Sequence, residues 1–349
     1  MSIPIWLVRA GRTGHQEEVA IDNNIVAIGW EELGDISSVA DKESLLSLYN
    51  QIYPGEKPRA VSNKANQIWR FAKEIKIGDY VVLPLKTEPV IAIGQVTGEY
   101  EFNTTISDEV RHIRRVKWLT TDMPRTRLKQ DLLYSLGAFM TVCRIQRNDA
   151  ETRIPVALDK YLNGSSSDSK DALLSNASEE IVDEVLSEET VDVESIGRDQ
   201  IRILIEREFA GYRLQDLVAS ILRVEGFQPV ISPPGKDGGV DILAGKGLLG
   251  LEEPRVCVQV KATSSPVGID VLNSLLGVVA SYDATYGLVV SIGGFTKDAR
   301  RKAKEQFFKV RLWDSDDVID MLLKVYDKLD EEIQASLPLK RVWITVPSE

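Results

Sequence analysis

The chain has 349 residues, 43% hydrophobic and 27% charged, an ordinary globular mixture with enough apolar residues for two cores. No apolar run approaches the ~18 residues a membrane span needs, and the opening MSIPIWLVRAGRTGHQEE reads as a first strand rather than a signal peptide or anchor. Cys143 and Cys257 stand far apart in apolar runs, which argues against a disulfide framework or zinc site and suits buried structural thiols in a cytoplasmic protein.

Residues 3–10, 25–30, 79–84, 90–97 and 113–119 have strand composition, and residues 42–53 and 63–75 have helical apolar spacing. Gly78 with Asp79, and Gly98, read as turns. Short strands with few helices predict a small α+β barrel or sandwich for residues 1–162. Residues 163–197 then read as a flexible acidic linker. Between Ser165 and Ser195 ten acids face one base, so this segment carries most of the net charge of −11. The folded parts are therefore close to neutral, and local patches decide their partners.

For residues 198–349 the pattern predicts helices at 199–209 and 214–225, then strands at 228–231, 239–244, 255–262 and 286–291. A helix at 297–308 capped by Thr296, a strand at 310–313 and a helix at 316–329 complete the order. Strands alternating with helices predict an α/β sandwich around a mixed sheet.

The chemistry concentrates in GFQPVISPPGKDGGVDILAG and VCVQVKAT. The first places Asp241 in a strand just after a glycine-rich turn. The second places Gln259 and Lys261 on one face of the next strand, because residues i and i+2 share a face. If the two strands form a hairpin, Asp241 reaches the same point. A carboxylate, an amide carbonyl and a lysine there suit metal-assisted phosphodiester hydrolysis. Asp241 and the backbone carbonyl of Val260 would hold Mg²⁺ or Mn²⁺, Gln259 would orient water, and Lys261 would stabilise the charged transition state. In V-C-V-Q-V-K-A, valines on one phase and Cys257 on the other imply a strand covered on both faces, where a Gln and a Lys need a reason.

These residues carry a resemblance. The run 214–323 resembles the catalytic domain of Mrr-like restriction endonucleases, in the PD-(D/E)xK nuclease superfamily, Q-x-K variant. The matching pieces are LQDLVASILRVEGF, GKDGGVDI, QVK, the helix 267–282, GLVVSIGGFTKDARRKA and WDSDDVIDML. The resemblance implies Mg²⁺-dependent DNA cleavage of the type II/IV restriction kind, with Asp241, Gln259 and Lys261 as the catalytic residues. Family members often carry a glutamate on the domain's first helix, where this chain has Gln215. Asp216 compensates as a ligand, or metal binding is weak, or activity is lost. Asp237 is a further acid that could approach the metal, with turn formation as its other role.

Around the helix at 297–308, Thr296, Lys297, Arg300, Arg301 and Lys304 are candidate phosphate contacts. In the first half, residues 103–130 hold seven bases against three acids, and tryptophans stand at 30, 69 and 118. Basic groups with aromatic faces hold splayed or flipped bases, so Trp30, Trp69, Trp118, Arg114 and Arg115 are base-reader candidates. The segments AIDNNIVAIGW, KIGDYVVLP, VIAIGQVTGEYEF and HIRRVKWL resemble PUA-like small barrels, including EVE-type readers of modified bases. That resemblance implies a domain that selects modified DNA.

The only histidines, His15 and His112, lie outside the nuclease half, which removes paired-histidine and Ser-His-Asp chemistry there. His112 amid arginines reads as a surface or phosphate-facing residue. No P-loop is present; Gly245, Gly247 and Gly250 around Lys246 read as a connecting loop. The expectation is a restriction or phage-defence DNA endonuclease gated by its first domain. The alternative is a catalytically weak or inactive DNA-binding subunit of a multi-protein defence system. Cutting both strands with one site per chain favours a homodimer or higher oligomer, and no membrane partner is expected.

Overall fold

A computed structural model describes residues 3–11, 13–137, 140–163, 192–233, 239–263 and 265–343. The chain divides into two compact units, Met1–Ile196 and Gly197–Glu349. Most of the acidic linker, and the glycine-rich turn with Asp237, lie outside the described residues. Among the described residues no helix is long and apolar enough to cross a membrane.

The first unit is built on strands β1 (Ile5–Val8), β2 (Ile25–Ile28), β3 (Tyr80–Pro84), β4 (Val90–Ser107), β5 (Val110–Pro124) and β6 (Val142–Arg144). They hydrogen-bond in the order β2-β5-β4-β3-β1-β6, with β1 and β3 parallel and the other pairs antiparallel. Strands β1 and β2 are buried along their whole length. Successive residues of β2 feed two apolar layers: Val26 and Ile28 pack with Tyr49, Phe71 and Ile75, and Ile25 and Ala27 with Leu83, Val90 and Ile113. The helices are α1 (Glu17–Asp22), α2 (Lys42–Ile52), α3 (Pro58–Trp69), α4 (Gln130–Leu136) and α5 (Ala150–Leu162). Asp41 caps α2 by accepting from Ser44 N at 2.8 Å, and Pro58 starts α3 where its missing N–H costs nothing.

Gly98 does not turn the chain. It lies inside β4, where a Cβ would stand 3.0 Å from Arg115 Cβ on β5, so it marks close approach of two strands. The hairpin instead turns at Asp108 and Glu109, between the paired residues Ser107 and Val110.

Helix α6 (Val193–Glu208) starts just before the second unit and runs into it, and α7 (Arg213–Val224) follows. The strands are β7 (Gln228–Ile231), β8 (Ile242–Lys246), β9 (Glu252–Lys261), β10 (Tyr286–Ser291) and β11 (Val310–Trp313), in the order β11-β10-β9-β8-β7. β7, β8 and β9 pair antiparallel, and β9, β10 and β11 parallel, so the expected mixed sheet and the β8–β9 hairpin are both present. Helices α8 (Ile269–Ser281) and α9 (Lys297–Glu305) follow β9 and β10; α10 (Ser315–Val325) and α11 (Glu331–Ser336) close the chain. Val258 and Val260 face a core with Leu214, Leu217 and Val218 of α7 and Ile319 and Leu322 of α10. Cys257, one residue out of phase, faces Leu272, Leu275 and Val279 of α8 and Ala299 of α9. Strand β9 is thus covered on both faces, as its sequence predicts.

Candidate active site

The sheet brings Lys261, at the carboxyl end of β9, level with Ser291 at the carboxyl end of β10. Antiparallel β8 starts at that same end, with Ile242 opposite Val258. Asp241 therefore stands at the head of β8, in the bend just before the strand rather than inside it. Its backbone N–H donates to Val258 O and its carbonyl accepts from Ser232 N, both at 2.9 Å, tying the bend to β9 and to the chain after β7.

The Asp241 carboxylate is held from two sides. Oδ2 accepts from the backbone N–H of Val260 at 2.6 Å, and Oδ1 accepts from Gln215 Nε2 at 2.9 Å. Gln215, on α7, is buried. Asp216 is exposed, because successive helix residues point about 100° apart. The expectation that Asp216 supplies a second acid is therefore not met: the residue facing Asp241 is the amide one position earlier.

The carboxylate thus docks on the residue between Gln259 and Lys261. Gln259 is 6% exposed, and its Oε1 has no hydrogen-bond partner among the described residues. Its Nε2 lies 3.3 Å from where a Cβ of Gly239 would stand. Lys261 is half-buried; its carbonyl accepts from Ile292 N at 3.3 Å, and its ammonium has no hydrogen bond or ion pair among the described residues. Ser291 is fully buried, and its hydroxyl has no partner among the described residues; in the sequence its signal is no more than a serine ending an apolar strand. Burial pushes the Cys257 thiol up, keeping it protonated and structural.

These residues fit a hard divalent cation. Each Asp241 oxygen accepts one of the hydrogen bonds above, so the carboxylate is fixed in direction. The N–H and C=O of one strand residue point to the same edge, so the Val260 carbonyl is directed toward Asp241. The buried Gln259 Oε1 is a further oxygen ligand with no partner among the described residues. Among the described residues no group of three or more His, Cys, Asp or Glu side chains gathers. One carboxylate among neutral oxygens suits Mg²⁺, which retains waters, better than Zn²⁺.

Of the candidate phosphate contacts, Thr296 and Lys297 lie at the same end of the sheet, while α9 runs back from there and carries Lys304 toward the opposite end. Thr296 caps α9, its Oγ1 accepting from Ala299 N at 3.3 Å. Arg300 donates to Asp314 at 3.3 Å and lies 5.7 Å over the Phe295 ring. Arg301 pairs with Asp298 at 2.7 Å, while Lys297 and Lys304 are exposed. Exposed pairs such as Arg301–Asp298 are weak and exchange readily for a phosphate.

In the first unit the structure corrects two expectations. Arg114 is fully buried and cannot meet a base: its guanidinium donates to Phe71 O at 2.6 Å, Ala72 O at 2.9 Å and Gly98 O at 3.2 Å, so it clasps the helical turn after α3 (Arg70–Glu74) to the sheet. His112 is not a surface residue but fully buried, bonded to Trp30 O and the Tyr100 hydroxyl. Of the other candidates, Arg115 is exposed and pairs with Glu101 at 3.3 Å. Trp69 and Trp118 are half-buried against the core, Trp118 over Gly94. Trp30 is half-buried too. His15 is exposed, within hydrogen-bond reach of Thr13.

Residues 206–322 match the restriction endonuclease catalytic-domain family, and residues 6–142 match a domain family of unknown function. Among solved structures, the chain is similar to the DNA modification-dependent restriction endonuclease AspBHI, at 12% identity and a TM-score of 0.34, over 96% of this chain and 84% of that one. It is also similar to the MspJI restriction endonuclease in complex with a 27-mer oligonucleotide, at 13% identity and a TM-score of 0.30, over 95% and 79%. A third likeness, the protein of unknown function AF1548, has 16% identity and a TM-score of 0.27, over 36% and 78%. Likenesses this remote carry no chemistry from those proteins to this chain. No curated protein matches the chain. The second unit thus carries a restriction endonuclease domain across residues 206–322.

Proposed function

We propose that the chain is a Mg²⁺- or Mn²⁺-dependent DNA endonuclease that acts preferentially on base-modified DNA. The observation that carries the reading is the docking of the Asp241 carboxylate on Val260 N–H, between Gln259 and Lys261. Asp241 and the Val260 carbonyl would hold the ion, which when bound lowers the pKa of a water and neutralises phosphate charge. Gln259 Oε1 accepts an O–H and so orients a water. Lys261 places its ammonium against the non-bridging phosphate oxygens, where negative charge grows in the transition state. Lys297, Arg300, Arg301 and Lys304 hold the DNA backbone without reading sequence.

The first unit is the reader in this proposal, matching its basic β5 and its aromatic groups to a modified base. Digestion of matched cytosine-modified and plain plasmids with Mg²⁺ tests both parts. Faster cutting of modified DNA is expected. Cleavage at equal rates on both would remove the modification dependence, and no cleavage of either would remove the nuclease.

One observation favours a second reading. The Gln215 amide occupies Asp241 Oδ1 as a donor, where a glutamate would add a second anionic ligand. On that reading the chain is a weakly active or inactive DNA-binding subunit of a larger defence assembly.

A further inference from the structure

Ser291 ends strand β10, and its side chain is fully buried. It follows Leu288, Val289 and Val290, buried apolar residues that need no polar partner. A buried hydroxyl without a hydrogen bond costs free energy that alanine in its place would spare. The other buried serines are satisfied. Ser220 donates to Asp330 at 3.2 Å, and Ser315 accepts from Arg202 at 2.9 Å. Among the described buried serines, Ser291 is the one whose hydroxyl has no partner.

Its place in the sheet says what it stands beside. In the parallel ladder of β9 and β10, Gln259 is level with Val289 and Lys261 with Ser291. Residues at one level share a face, as Cys257 and Val289 show by lying in one apolar layer. Ser291 and Lys261 are therefore neighbours on the face that carries Gln259. On the other flank, the backbone stays extended through Asp314 (φ −85°, ψ −171°), one residue beyond the Val290–Trp313 pair. Asp314 is 5% exposed; it accepts from Arg300 at 3.3 Å and from the first N–H groups of α10. Lys261, Ser291 and Asp314 thus form a row across the catalytic end of the sheet. An ammonium only donates and a carboxylate only accepts, while a hydroxyl does both. Ser291 is the member of the row able to join the other two.

We propose that Ser291 is a positioning residue of the nuclease site, whose hydroxyl accepts from the Lys261 ammonium in the complex with DNA and aims it at the phosphate. Its own proton goes to Asp314, which Arg300 already holds in place. Lysine is a point charge on a flexible stem, so its charge needs an orienting group to reach one fixed point. Misplacing a catalytic group by about 1 Å lowers a rate ~100-fold. The inference rests on the nuclease reading and deepens it, adding a residue that lies outside Asp241, Gln259 and Lys261.

The test uses the full chain, plasmid DNA and Mg²⁺, with enzyme in excess so that a single turnover is read. Ser291→Ala is expected to cut ~10- to 100-fold more slowly at saturating DNA. Its DNA affinity in Ca²⁺ and its Mn²⁺ affinity by calorimetric titration stay at wild-type values. It melts no lower than wild type, because the free protein loses no hydrogen bond. Ser291→Cys, close in size but a weak acceptor, is slowed in the same way. Cutting at the wild-type rate by either variant overturns the inference. So does a fall in DNA affinity, Mn²⁺ affinity or melting temperature in Ser291→Ala, which would make Ser291 a structural or metal-site residue. Failure of the nuclease reading looks different: wild type itself does not cut, and this inference falls with it.

Discussion

Gln215 and Asp241 meet through one hydrogen bond of 2.9 Å, from an amide on the first helix pair of the second unit to the carboxylate at the head of β8. The amide can offer N–H to the carboxylate or carbonyl oxygen to a cation, but not both at one place. If the site binds metal as proposed, this contact competes with the ion for Asp241.

Gln215→Glu is therefore expected to tighten Mn²⁺ binding, roughly tenfold per 1.4 kcal/mol of added attraction. Without metal it sets two carboxylates together and lowers the melting temperature. Calorimetric Mn²⁺ titration and thermal melts with and without metal check this. A variant that binds Mn²⁺ no better than wild type would separate Gln215 from the metal site.

Arg114 makes a second prediction, on stability. Arg114→Met leaves the carbonyls of Phe71, Ala72 and Gly98 without their donor, each costing about 1–3 kcal/mol when buried. Arg114→Lys should not restore stability, because a point charge lacks the planar fork. Urea unfolding of both variants reads the difference. Equal stability of Arg114→Lys and wild type would show that charge alone suffices.

His112 makes a third, on pH. Burial pushes its pKa below the usual histidine range, outweighing the opposing pull of the Trp30 carbonyl and Asp35. Below about pH 6.5 the unfolded chain takes up a proton that the folded one refuses, so this contribution to stability is complete above that pH and lost as the pH falls. Urea melts at pH 7.5 and 5.5 should show a larger acid loss for wild type than for His112→Gln. The same loss in both would assign the effect to other groups.

Much of the second unit was legible in the sequence. Its strands alternate with helices, and β7, β10 and β11 have the predicted bounds. The Q-x-K pair was legible because strand periodicity fixes which residues share a face. The seat of Asp241 was not, since a bend before β8, rather than the strand, aims the carboxylate at Val260 N–H. In the first unit composition misled at three points. Gly98 signalled a turn, but a glycine is as much required by the close approach of Arg115. Arg114 and His112 looked superficial among charged neighbours, yet strand alternation turns both inward while Arg115 stays out. Burial of a charged arginine or a polar imidazole needs partners distant in sequence, here Phe71 and Trp30, which no local pattern displays.

The central claim is that Asp241, Gln259 and Lys261 form one nuclease site. Its most direct test is plasmid cleavage in Mg²⁺ or Mn²⁺ by wild type, Asp241→Ala and Lys261→Ala, with DNA binding followed in parallel. The account predicts cutting by wild type alone, with binding retained in Lys261→Ala. Cleavage that persists in both variants would place the chemistry elsewhere.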